Sequence, residues 1–168
     1  MQTTEEARFA ESYAVMLPPI LFAADTPPAP LSDASKHAGT RNDPGRPRVL
    51  VVDDEPLIAT TVAAILNDNG FEAAHAFSAE DALALVHDFC PDIVLSDVLM
   101  PRTSGIELGM RLHQELPAAH VILFSGQAAT TELLRKARRD GFEFELLPKP
   151  IHPEELIARL RGVKLPRT

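Results

Sequence analysis

An alternation that begins at Arg48 narrows the fold most. Short, almost wholly apolar runs, "VLVV" (49–52), "DIVLSD" (92–97) and "HVILFSG" (120–126), read as strands. Between them lie segments whose apolar residues recur at helical spacing. Glu55 to Asn69 carries Ile58, Thr61/Val62, Ile65 and Leu66 and stops at Gly70. "FEAAHAF" is a weak strand. Ser78 with Asp81 can cap a helix that buries Leu83 and Val86. Ser104 and Glu107 form a capping box for a helix through Ile106, Met110 and Leu112. Thr131 to Asp140 reads as helix, "FEFELL" as a last strand, and Pro153 followed by Glu154 and Glu155 opens a final helix. Strands that are apolar on consecutive residues are buried on both faces, so the sheet is parallel with helices on each side. The expected fold class is α/β, a five-stranded parallel sheet doubly wound in the order 2-1-3-4-5, over residues 48–162.

The flanks differ in composition. Residues 1–47 hold seven of the chain's 15 prolines, and that composition predicts a disordered tail. Residues 163–168 form a short C-terminal tail. Within 1–47, Phe9, Tyr13, Val15, Met16 and Leu17 suggest a short docking helix as an alternative. "YAVMLPPILFAA" is broken by Pro18 and Pro19 and follows Glu5, Glu6 and Glu11, so it reads as neither leader nor anchor. A formal charge of −8 gives no overall basic field and argues against nucleic-acid binding. One cysteine, Cys90, fits a reducing, cytoplasmic setting. No apolar run reaches the ~20 residues of a membrane span.

The chemistry gathers at the carboxyl ends of the strands, where open parallel sheets bind ligands. Strand one ends in Asp53 and Asp54, strand three in Asp97, strand four in Ser125 and Gly126, and strand five in Lys149 and Pro150. In the expected order, strands one and three are neighbours. Three carboxylates so close together call for a cation, and an all-oxygen set suits Mg²⁺. An Asp carboxylate can act as a nucleophile toward phosphorus, and Lys149 can neutralise phosphoryl oxygens as a point charge. Ser125 can donate a hydrogen bond to another oxygen. The residues therefore point to Asp97 carrying a phosphoryl group beside a bound metal.

With "LVVDDEP", "PDIVLSDVLMPRTSGIEL", "VILFSG" and "LLPKPI" in order and at matching spacing, the sequence resembles the receiver domain of two-component response regulators. The resemblance implies a flavodoxin-like fold and phosphotransfer from a sensor histidine kinase or phosphotransfer protein. It makes Asp97 the phosphoacceptor, Lys149 the phosphate-binding lysine and Ser125 the switch hydroxyl. It makes Asp54, Asp97 and the Leu99 backbone carbonyl direct Mg²⁺ ligands, with Asp53 binding through water. It also implies a cis Lys149–Pro150 bond. The chain ends soon after the fifth helix, which reads as a stand-alone receiver that relays its signal by protein contacts rather than as an enzyme.

Two departures from the family pattern touch the output. Leu146 stands where an aromatic is usual, and the segment from Gly141 to Lys149 is one residue longer, with Phe142 and Phe144 out of register. Arg135, Lys136, Arg138 and Arg139 read as a solvated helix face; the resemblance also places them where receivers bind partners, so an output protein is expected at the face of helix four and strand five. A Mg²⁺-dependent phosphoester hydrolase is the alternative from another class, but strand one lacks the spaced acids that such an enzyme uses.

Overall fold

The computed structural model describes residues 45–126 and 130–165. The tail expected over residues 1–47 therefore lies outside the described residues as far as Pro44, as do the last three residues. Among the described residues, five strands and five helices alternate in strict order: β1 (Arg48–Val52), α1 (Pro56–Asp68), β2 (Glu72–Ala76), α2 (Ala79–Phe89), β3 (Ile93–Asp97), α3 (Gly105–Glu115), β4 (His120–Ser125), α4 (Thr130–Arg139), β5 (Glu145–Pro148) and α5 (Pro153–Gly162). The sheet runs β2-β1-β3-β4-β5, and every pairing is parallel. The expected strand order holds.

Two-sided burial explains the apolar runs of the central strands β1, β3 and β4. Leu50, Val52 and Val94 pack with Ala82 and Val86 of α2 and with Leu108 and Leu112 of α3. Their neighbours Val49, Val51, Ile93 and Leu95 point to the opposite face, as alternation along a strand requires, and are buried as well. The buried stripes of α1 (Ile58, Ala59, Val62, Leu66) and α5 (Leu156, Ile157, Leu160) supply apolar cover of matching extent. Arg161 of α5 donates to the Asn69 carbonyl just past α1, at 3.0 Å. Arg46, assigned by composition to the tail, belongs structurally to the domain. Its guanidinium donates to the carbonyls of Asn67 and Phe71 near the end of α1.

Capping accounts for where the helices begin. Ser78 accepts from the Asp81 N–H at 3.0 Å and donates to the Asp81 carboxylate at 2.8 Å. Ser104 and Glu107 form both halves of a capping box at the head of α3. Pro56 and Pro153 open α1 and α5, where a missing N–H costs nothing.

The structure corrects three details. Leu83 is only half-buried, and Ala82 beside it is the residue sealed against the sheet. Met110 is likewise half-buried, between α3 and α4, whereas Leu108 faces the core. The last strand begins at Glu145 rather than Phe142. Gly141, at φ +89°, turns the chain out of α4, and the Phe142 N–H then bonds back to the Ala137 carbonyl at 2.9 Å. Phe142 and Phe144 are thereby drawn off the strand into an apolar cluster with Val98, Ile106, Leu123 and Ala137. Their rings stack with centroids 6.3 Å apart, and His113 meets Phe142 edge-on. Two phenylalanines looked like strand residues because a run of alternating apolar side chains does not distinguish a strand from a loop that packs.

Gly109 makes room for this cluster. A Cβ there would lie 2.7 Å from the Phe144 ring. A glycine inside a helix costs about 1 kcal/mol relative to alanine, so the ring contact opposes the helical preference. We expect Gly109→Ala to destabilise the protein, yet to stabilise it by roughly 0.5–1 kcal/mol in a Phe144→Ala background. Urea unfolding of the four proteins of this double-mutant cycle measures the coupling.

Candidate phosphoacceptor and metal site

The sheet brings the three acids together from two adjacent strands. Because β1 and β3 pair in register, with Val52 opposite Ser96, their next residues Asp53 and Asp97 emerge side by side. One oxygen from each of Asp53, Asp54 and Asp97 lies within 4.8 Å of the others, the one such gathering of potential metal-ligating groups found among the described residues. Asp53 is buried, Asp97 half-buried and Asp54 exposed. Asp53 is also tied down at both oxygens. Its Oδ1 accepts from the Glu55 N–H at 3.0 Å, and its Oδ2 from Lys149 Nζ at 3.1 Å.

Lys149 arrives from the other side of the sheet's switch point. β4 pairs with β5 so that Ser125 lies opposite Pro148, and the Lys149 N–H donates to the Ser125 carbonyl at 2.9 Å. The Lys149–Pro150 bond is cis. The lysine side chain passes over the Phe124 ring, 5.9 Å from its centroid, and reaches both Asp53 and Asp97 at 3.1 Å. Ser125 ends β4 one residue beyond Phe124, the β4 partner of Asp97. Leu99 follows Asp97 by two residues, its side chain 46% exposed at the rim. All six residues named from the sequence thus sit at one edge of the sheet. Leu146 does not join them. It pairs with Leu123, and its side chain is 42% exposed, while Leu147 next to it is sealed in the core.

Electrostatics follow from three carboxylates facing one ammonium. Burial pushes the Asp97 carboxyl above its ordinary range; Lys149 pulls it back, and Asp53 adds repulsion. Burial works against the Lys149 ammonium, but the charges of Asp53 and Asp97, with their hydrogen bonds, outweigh it and hold Lys149 above its ordinary range. The lysine gains because two acids face it, whereas Asp97 is raised first by its burial. An all-oxygen, carboxylate-rich set with two negative charges left after Lys149 is counted fits a hard divalent cation.

Sequence reading passed over three groups that shape this site. The Val98 N–H donates to Asp97 Oδ1 at 2.9 Å. Ser96, a hydroxyl inside the apolar run "IVLSD", is fully buried, and that break in an otherwise apolar strand was its visible signal. Gly105 lies so close to the Asp97 carbonyl that no side chain fits there.

A raised carboxyl pKa carries a sign. Asp97 binds its proton more tightly in the folded state, so its contribution favours folding at low pH and is lost as pH rises through the folded pKa. Ionised Asp97 therefore costs stability at neutral pH. Without divalent cations, Asp97→Asn is expected to raise Tm at pH 7 by a few degrees, roughly 2–6 °C for a domain of this size. The gain should shrink as pH falls below the ordinary carboxylate range. Adding Mg²⁺ should stabilise the wild type more than the variant. Thermal melts across pH, with and without Mg²⁺, provide the measurement.

Residues 49–161 match the family model described as the response regulator receiver domain. The chain is 32% identical over 124 residues to the probable transcriptional regulatory protein TcrX of Mycobacterium tuberculosis, covering 73% of this chain and 52% of that protein. It is 33% identical over 115 residues to the phosphate regulon transcriptional regulatory protein PhoB of Pseudomonas aeruginosa, covering 68% of this chain and 50% of that one. The chain thus spans about half the length of these curated relatives. Among solved structures, a receiver domain protein from Clostridium thermocellum superposes with a TM-score of 0.62 at 27% identity, over 69% of this chain and 92% of that one. The receiver domain of NtrX from Brucella abortus does so at 0.59 and 34% identity, over 67% and 94%. Strand order, the clustered acids and these matches agree: the chain belongs to the response regulator receiver domain family.

Proposed function

We propose that this domain accepts a phosphoryl group on Asp97 from a phosphohistidine of a sensor kinase or phosphotransfer protein, with Mg²⁺ bound, and relays the signal through protein contacts. The observation that carries the reading is Lys149 Nζ, 3.1 Å from both Asp53 and Asp97, at the point where three strand ends converge.

In the proposed reaction, an Asp97 carboxylate oxygen forms a bond to phosphorus. The phosphorus–nitrogen bond breaks, and its electron pair leaves with the imidazole, which takes a proton from solvent. Lys149 neutralises a phosphoryl oxygen as charge moves onto the transferred group. Ser125 donates its hydroxyl to another. Asp54, Asp97 and the Leu99 carbonyl would hold Mg²⁺ directly, with Asp53 reaching it through water, and the ion would supply positive charge against the phosphoryl oxygens. The division between Asp53 and Asp54 is supported by their settings. Asp53 is buried with both oxygens engaged, and Asp54 is exposed at the rim.

The reading makes the domain a phosphoryl carrier rather than an enzyme that turns over a free phosphoester. An acidic chain of net charge −8 favours a protein partner over nucleic acid for the output step. The α4–β5 face, with Arg135, Lys136, Arg138 and Arg139 exposed on α4, is the proposed contact. No helix among the described residues is long and apolar enough to cross a membrane, which is compatible with a cytoplasmic partner.

Incubation with acetyl phosphate and Mg²⁺ should label the wild type, and Asp97→Asn should cut labelling by roughly 100-fold or more, because the nucleophile is gone while the shape remains. Asp54→Ala should raise the Mg²⁺ concentration needed for half-maximal labelling by about tenfold or more. Equal labelling of Asp97→Asn and wild type would remove Asp97 as acceptor, and an unchanged Mg²⁺ titration would remove Asp54 as ligand.

A further inference from the structure

We propose that Ser96 is a positioning residue for Asp97, acting through the peptide that joins Asp97 to Val98. The inference rests on the reading of Asp97 as phosphoacceptor and concerns what aims its carboxylate.

Ser96 is fully buried near the end of β3, between the apolar run Ile93–Leu95 and the site. A hydroxyl sealed in such a place needs a partner. It donates to the carbonyl of Asp97 at 2.9 Å. The other end of the same peptide is the Val98 N–H. That group is shared between the Phe124 carbonyl at 3.0 Å and Asp97 Oδ1 at 2.9 Å. A peptide is a rigid plane, so its C=O and N–H turn together. Holding the Asp97 carbonyl therefore holds the N–H that orients the Asp97 carboxylate.

Gly105 closes the arrangement. Any side chain at 105 would collide with the Asp97 carbonyl oxygen, and its Cβ would also sit 2.8 Å from Ser96 Oγ. The Gly105 N–H donates to the Val98 carbonyl at 3.1 Å. The peptide is thus gripped by Ser96 at its oxygen, by Phe124 at its nitrogen and by the head of α3 alongside. On the carboxylate, Oδ1 receives both the Val98 N–H and Lys149 Nζ. Two donors on one oxygen set the rotation of the carboxylate plane and make its two oxygens inequivalent before any phosphodonor arrives. Nucleophilic attack needs that orientation, and a small misplacement is costly in rate.

The test compares Ser96→Ala with Ser96→Thr. Alanine removes the hydroxyl. Threonine keeps it and adds a methyl group to a closed core, which lowers stability by overpacking. With acetyl phosphate at saturating Mg²⁺, Ser96→Ala should be labelled about tenfold more slowly than wild type, with its half-saturating Mg²⁺ unchanged. Ser96→Thr should melt at a lower temperature yet keep a rate near that of wild type. The Val98 amide proton should move upfield in Ser96→Ala, as its bond to Oδ1 weakens, and stay in place in Ser96→Thr. A wild-type rate or an unmoved Val98 amide in Ser96→Ala would overturn the proposal. So would equal slowing in both variants, since that would trace the effect to packing and not to the hydroxyl. The amide shift is read without phosphodonor, whereas labelling of Asp97→Asn judges the acceptor, so the two readings fail separately.

Discussion

The contact on which the site depends is the bridge from Lys149 to Asp53 and Asp97. Three carboxylates meet at the end of β1 and β3, and one ammonium stands against them. The acids hold Lys149 above its ordinary range, while burial, with Asp53 adding repulsion, pushes Asp97 up. The imbalance leaves an excess of negative charge that an added divalent cation would relieve. Lys149 is carried by a short strand of four residues, so the bridge depends on β5 keeping its register with β4.

That register in turn reflects how the far edge of the sheet is packed. Leu147 is sealed in the core and Leu146 turns outward, so β5 offers no ring on its exposed side at that position. The aromatic mass lies earlier, where Phe142 and Phe144 stack under α3 and α4 in a cluster that includes Val98. Val98 is also the residue whose N–H holds Asp97. Asp97 is thus one residue away, along the chain, from the apolar contacts that seat α4.

Sequence alone determined the layer order and the edge at which the chemistry sits. Apolar strands such as "VLVV" and "HVILFSG" can be buried only between two helical layers, and parallel strands put all their carboxyl ends on one side. Asp53, Asp54, Asp97, Ser125 and Lys149 follow from that logic because each stands at the end of an apolar run. What local pattern cannot carry is which side chain meets which. Phe142 and Phe144 left the strand because Gly141 redirects the chain and Gly109, far away in sequence, leaves a hollow for the ring. Ser96 acquired a role because its hydroxyl, the Asp97 carbonyl and Gly105 meet only once β3 and α3 are docked. Periodicity reports the face a residue turns toward. The partner it finds there is decided by close packing of segments distant in the chain, and only the tertiary structure contains that information.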